Sequence, residues 1–331
     1  MADIIQVQPQ RNVPWLGIGA TGNWTDYNEA LVAGGLDFNV YDEQLCWWKP
    51  SRPLDEVVAN PGWSGYTSQT EDVEMITTVR GDTNQVLGLV TPRYRIVQNR
   101  DAFKIMEQVV AVGGTITNAG MTQQGLCFMV ANVMQRTVNG EDYCMYIMAT
   151  NSFNGAFPIG LIVTPVRIIC QNMYRQLMGN KDNVVRMRHE TNVMDKLDRQ
   201  YNVAGALVDY NDCFSAQVLK LAEAKMTVDQ YTNLLHMLFP YPAPGGAREQ
   251  TSIMKIDALR EEFTDVYFDA PDNVKWKDCA FGFVNAYYDY LSHAGNTKNM
   301  RGSWEDRRLT KLVSGDAVKS NVIREAVKLC R

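Results

Sequence analysis

Residues 125–150 read GLCFMVANVMQRTVNGEDYCMYIMAT, and their interpretation decides the fold. Two apolar runs, 125–134 and 143–150, flank the polar segment QRTVNGED. Asn139-Gly140 inside that segment is a hairpin dipeptide, because both residues accept positive φ. The stretch therefore predicts two long antiparallel strands. Upstream, VEMITTVR (73–80) and QVLGLVT (85–91) are shorter β-rich runs joined by GDTN, a second hairpin. RDAFKIMEQVVAVGG then places Phe103, Met106, Val109 and Val110 at helical spacing, with Asn99 as its expected N-cap and Gly113-Gly114 as its end. Further strands are expected at 115–119 and along IGLIVTPVRIICQN (159–172), with a helix opening at MYRQLM.

Beyond His189 the pattern turns helical. Residues 193–225 form a long amphipathic run, and Thr227 with Gln230 makes a capping box for VDQYTNLLHMLF. PYPAPGG breaks the chain. Helices follow near Thr251–Phe263, on one apolar face of WKDCAFGFVNAYYDYLSHAG, and at the C-terminal end. Residues before about 70 carry breakers at short intervals and five of the seven tryptophans, with one short helix at Tyr27–Ala33 capped by Thr25 or Asp26. The fold class is α+β: a central, mostly antiparallel sheet with an inserted helix, an aromatic-rich N-terminal arm and a helical C-terminal half. The expected divisions are an irregular acidic arm (1–73), an α+β core (74–190) and a helical region packed on it (191–331).

Charge is unevenly spread. Residues 1–74 carry eleven acids against three bases, whereas 75–190 carry eleven bases against seven acids, within a total of −5. An acidic arm before a basic centre suits a polyanion-binding protein, and also two differently solvated faces. An acidic arm could also compete with DNA for that centre, so deleting residues 1–70 is expected to tighten DNA binding. The seven cysteines are scattered without C-x-x-C and read as reduced core residues. No secretory signal or membrane-length apolar run is visible, which points to the cytoplasm.

Two stretches resemble each other: TPRYRIVQN (91–99) and TPVRIICQN (164–172) share five of nine positions. Each is expected where a β-run gives way to a helix, with Thr-Pro restricting the backbone and Asn capping. That leaves the Gln and the neighbouring arginines to explain. Arg167–His189 holds five basic residues against one acid, and VVRMRHE alternates so that Arg186 and Arg188 share one face of an exposed strand. Arg93, Arg95, Arg167, Arg175, Arg186 and Arg188 are the candidate phosphate contacts, with Tyr94, Tyr174 and His189 as stacking candidates for bases.

Motifs of known chemistry are missing. There is no H-E-x-x-H, calcium-loop spacing, G-x-x-x-x-G-K-[ST] or G-x-S-x-G, so no cofactor or metal is expected. An enzyme assembled from distant residues would show itself by a deep polar pocket around Cys170 or His189.

From about Val13 to Cys330 the chain resembles a family of phage- and plasmid-encoded proteins catalogued as domain of unknown function 932. The resemblance rests on VPWLGIG, GLDFNVY, LGLVTPRYRIVQNRDAF, NSFNG, TPVRIICQN, RMRHE, WKDCAFGFVNAYYDYLSH and LVSGDAVK. The family pattern usually has a histidine in place of Leu16 and His-Asp in place of Phe153-Asn154, so any chemistry carried there is lost in this chain. The resemblance implies a mobile-element setting, alongside replication and recombination functions. The expected function is single-stranded DNA binding without catalysis, as a homo-oligomer. The alternative is a self-assembling structural protein or a binder of a host protein.

Overall fold

Asn139 and Gly140 adopt φ of 51° and 75°, the paired left-handed conformation that closes a two-residue hairpin. A computed structural model describes residues 13–45, 47–50, 66–69, 75–167, 184–194, 203–246, 249–290, 302–314 and 317–328. The hairpin forms the centre of a six-stranded antiparallel sheet. In spatial order its strands are β1 (Ala20–Trp24), β7 (Thr115–Met121), β8 (Leu126–Val138), β9 (Glu141–Ser152), β10 (Ile159–Arg167) and β11 (Val184–Met187). A three-stranded sheet orders β2 (Val40–Gln44), β5 (Ile76–Arg80) and β6 (Val86–Val90), and β3 (Trp47–Pro50) pairs with β4 (Tyr66–Gln69).

Residues 126–131 of β8 are buried without interruption. Cys127, Met129 and Ala131 face the cluster built by the helices. Leu126, Phe128 and Val130 join Val13, Trp15, Leu309 and Val313 in a second cluster. A strand covered on both faces has no polar alternation to show, which is why this run is apolar throughout.

The helices are α1 (Tyr27–Ala33), α2 (Asn99–Phe103), α3 (Met106–Ala111), α4 (Val203–Glu223), α5 (Val228–Leu238), α6 (Glu249–Asp269), α7 (Ala280–Asp289), α8 (Trp304–Ser314) and α9 (Ala317–Lys328). Asp26 caps α1 by accepting from the Asn28 amide at 2.8 Å. The Thr227–Gln230 capping box forms in both directions. All ten residues of α7 are buried, so it is a core helix rather than one with a single apolar face.

Other details also depart from the sequence expectation, and the helix expected over 100–114 is two, α2 and α3. The N-terminal segment read as irregular supplies β1 to the sheet and Trp15, Leu31, Leu36 and Phe38 to the core. Asn99 is the first residue of α2 and not its cap; its side chain donates to the Leu36 carbonyl at 3.0 Å and accepts from Asn151 Nδ2 at 3.0 Å. Cys213 is exposed, whereas Cys127 and Cys279 are core residues as read.

Candidate functional site

The two nonamers take different structures. Thr91-Pro92 lies in a turn after β6, where the Tyr94 amide donates to the Thr91 carbonyl at 2.9 Å. Thr164-Pro165 lies inside β10, paired with Tyr146 and Met145 of β9. A missing N–H is tolerated there because the described pairing of β11 reaches only Ile162. Gln171 and Asn172 fall outside the described residues. The Gln of the first nonamer is structural. Gln98 accepts from the Val40 amide at 2.9 Å and donates to the Val40 carbonyl at 2.8 Å, extending the end of β2 by a strand-like pair.

The first nonamer is fastened to the RMRHE segment. The Arg95 amide donates to the His189 carbonyl at 3.0 Å, and His189 Nδ1 lies 3.0 Å from the Arg95 carbonyl. Carbonyls only accept, so Nδ1 carries the proton. The Tyr94 and His189 rings stack, with centroids 4.5 Å apart and planes 15° from parallel. The Tyr94 hydroxyl donates to the Ser152 carbonyl at 2.7 Å. Below them Val97, Ala102, Ile159, Met187 and Val193 form a small apolar cluster that holds the nonamer, β10 and β11 together.

Residues 186–189 alternate as the sequence pattern requires: Arg186 and Arg188 are exposed, Met187 and His189 buried. Arg186, Arg188 and His189 line, with Arg93, Tyr94 and the 155–158 loop, a cleft of about 1070 Å³, slightly above the roughly 300–1,000 Å³ that ligand sites usually occupy. Ser152 shapes that loop, its Oγ donating to the Phe157 carbonyl at 2.7 Å and accepting from the Phe157 amide at 3.2 Å.

The cleft is electropositive. Its basic members are Arg93, Arg186 and Arg188, against Glu190 as the acid. Arg186 donates to the Val313 carbonyl at 3.0 Å, in the last turn of α8, where a cation complements the helix dipole. The guanidinium groups of Arg93, Arg95 and Arg188 have no hydrogen-bond or carboxylate partner among the described residues, whereas Arg80, Arg100 and Arg136 pair with Asp82, Asp37 and Asp212. Burial pushes the His189 imidazole down to about 4, partly opposed by its bond to Arg95, so it is neutral at pH 7. Burial also raises the Tyr94 phenol.

Five of the nine expected site residues thus share one cleft: Arg93, Tyr94, Arg186, Arg188 and His189. Arg95 is exposed beside it and Arg167 ends β10. Tyr174 and Arg175 lie outside the described residues, as does Cys170. Sequence reading did not foresee the loop Gly155–Pro158 as a cleft wall. The turn residues of NSFNG were its only signal, and Gly155 does adopt φ +72° there.

Residues 86–313 match the model of a family described as Domain of unknown function (DUF932). The chain belongs to that family. No curated protein and no solved structure matches the chain. The matched span contains every described residue of the cleft. Leu16, which precedes the matched span, is exposed on a short 3-10 turn, and Phe153 is buried against Phe38 at 5.8 Å between centroids. Asn154 donates to the Gln124 carbonyl at 2.8 Å, a structural role. Among the described residues no group of three His, Cys, Asp or Glu side chains could hold a metal ion, and no helix is long and apolar enough to cross a membrane.

Proposed function

We propose that the cleft binds single-stranded DNA, with Arg93 and Arg188 meeting phosphates and Arg186 contributing from its anchor on α8. The observation that carries this reading is a set of exposed guanidinium groups around one cleft that no described carboxylate neutralises. Guanidinium matches phosphate geometry in a fork, and such uncompensated groups are favourable to an incoming polyanion. A cleft of this volume has room for a few nucleotides of a strand. The stacked Tyr94–His189 pair serves as a rigid wall in this reading, because the faces of the two rings meet each other. The protein acts without catalysis, in the cytoplasm, for a mobile element in replication, recombination or strand annealing, and as a homo-oligomer.

The test is fluorescence anisotropy with a labelled single strand of about 40 nucleotides, titrated at several salt concentrations, with mass read by light scattering. Binding should weaken linearly in log–log salt plots. An Arg93→Ala, Arg188→Ala double variant should flatten the slope by about 1.4, two single-strand phosphate contacts' worth of counterion release. Its thermal midpoint should match wild type, since neither side chain has a described partner to lose. No binding at low salt would sink the proposal, and a defined oligomer in the same samples would favour self-assembly.

A further inference from the structure

His189 uses only one of its two ring nitrogens. Nδ1–H is committed to the Arg95 carbonyl, so Nε2 of the neutral ring carries a lone pair. Nε2 is buried without a hydrogen-bond partner among the described residues, in a side chain only 7% exposed that nonetheless lines the cleft. An orphaned buried acceptor costs about 1–3 kcal/mol, and such exceptions in folded proteins ask for a reason. The ring cannot turn to find a partner in the free protein. Tyr94 covers one face, Arg95 holds the far nitrogen, and the Tyr94 hydroxyl is itself tied to Ser152.

The two walls of the cleft therefore ask for different groups. The arginines offer only donors and take phosphate oxygens. Nε2 offers only a lone pair and repels those oxygens, so its partner must be an N–H or O–H. Protonation would convert it into another phosphate donor, but burial disfavours that at neutral pH. A single-stranded nucleotide presents both kinds of group: phosphate oxygens on the backbone, and N–H donors on the pairing edge of its base.

We infer that His189 Nε2 accepts a hydrogen bond from a nucleobase N–H of the bound strand, so the cleft selects nucleotides over phosphate polymers in general. This rests on the single-strand reading above and names what the cleft recognises within it. Nε2 is shielded from water in the free protein, so the inference requires the exposed residues Glu190–Asn192, which line the same cleft, to give way to the base.

The experiment compares a labelled oligothymidine strand with the same strand built from N3-methylthymidine, which keeps the phosphates and the stacking surface but lacks the N3–H donor. Wild type should bind the unmodified strand about tenfold more tightly, the scale of one buried hydrogen bond with its partner left unpaired. His189→Asn keeps an amide N–H for the Arg95 carbonyl and removes Nε2, and should bind both strands equally. Equal binding by wild type, with salt dependence intact, overturns the inference and leaves the single-strand reading standing. A preference that persists in His189→Asn is steric and also overturns it. Failure of wild type to bind either strand overturns both. The wild-type comparison needs no variant to fold.

Discussion

Protonating His189 would place a positive charge in a buried ring, out of reach of water. Burial holds its imidazole at about 4 against 6.5 for the free side chain. Above pH 6.5 the ring is neutral in both native and unfolded chains and stability is unaffected. Between 6.5 and about 4 the unfolded chain takes up a proton that the native state refuses, so stability falls as pH falls. Below about 4 both states are protonated and the loss levels off, at roughly 3 kcal/mol in total. Urea midpoints measured from pH 7.5 to pH 4 should show this loss in wild type and lack it in His189→Asn; parallel curves would refute it. Asn99 sets a second residue-scale prediction. Asn99→Ala removes two buried hydrogen bonds, the one it donates to the Leu36 carbonyl, which keeps the Phe38 amide, and the one it accepts from Asn151, and should cost about 2 kcal/mol in urea unfolding. Its position before RDAF made a cap reading natural. Gln98 occupies the cap instead, with φ −64° and ψ 148°. Whether an asparagine bonds its own helix or reaches across to a distant carbonyl depends on contacts 52 and 63 residues away, and no local pattern encodes those.

Elements were legible where local chemistry decided them. Asn139-Gly140, the Thr227 capping box and the α1 cap at Asp26 each follow from a backbone requirement that two or four adjacent residues meet. They were not legible where tertiary packing decided. The Thr-Pro pairs look alike, yet one turns the chain and the other continues a strand, because β10 has β9 beside it and the Thr91 segment has no such neighbour in the ladder. Helix α7 read as one apolar face, yet it is enclosed on every side: Asn285 donates to Asn273 at 2.9 Å, and its small residues allow close approach. Gly282 is the tightest of these. A Cβ there would lie 2.0 Å from the Trp276 carbonyl oxygen, a backbone atom in the short 3-10 turn ahead of the helix. Gly282→Ala should therefore destabilise by about 3 kcal/mol or more. A midpoint in guanidinium within experimental error of wild type would show that the 274–279 turn yields freely.

At the scale of the molecule, the described residues 13–45 of the acidic N-terminal segment are bonded to the elements that carry the basic cleft. β1 closes one edge of the large sheet on β7, β2 is tied to the first nonamer through Gln98, and Asp37 pairs with Arg100 at 2.7 Å. Charge counting divided the chain at residue 74 because composition changes there; the hydrogen bonds that join the parts are invisible to composition. This changes the test of whether acids compete with DNA. Deleting residues 1–70 would strip Trp15, Leu31, Leu36 and Phe38 from the core, each 7% exposed or less, and should leave no cooperative thermal transition, whatever DNA does. Neutralising charge in place is the informative experiment. Asp42 and Glu43 are exposed on β2. An Asp42→Asn, Glu43→Gln variant should keep the wild-type melting midpoint within about 1 °C, since exposed changes of this kind lie within ±0.5 kcal/mol. If the acidic segment repels the strand through the protein's field, the variant should bind DNA about two- to threefold more tightly at about 20 mM salt. The gain should vanish near about 0.3 M, where screening shortens the reach of exposed charges to a few ångströms. A gain that survives high salt would mean a direct contact between β2 and DNA, and no gain at low salt would mean that the field of this segment does not reach the cleft.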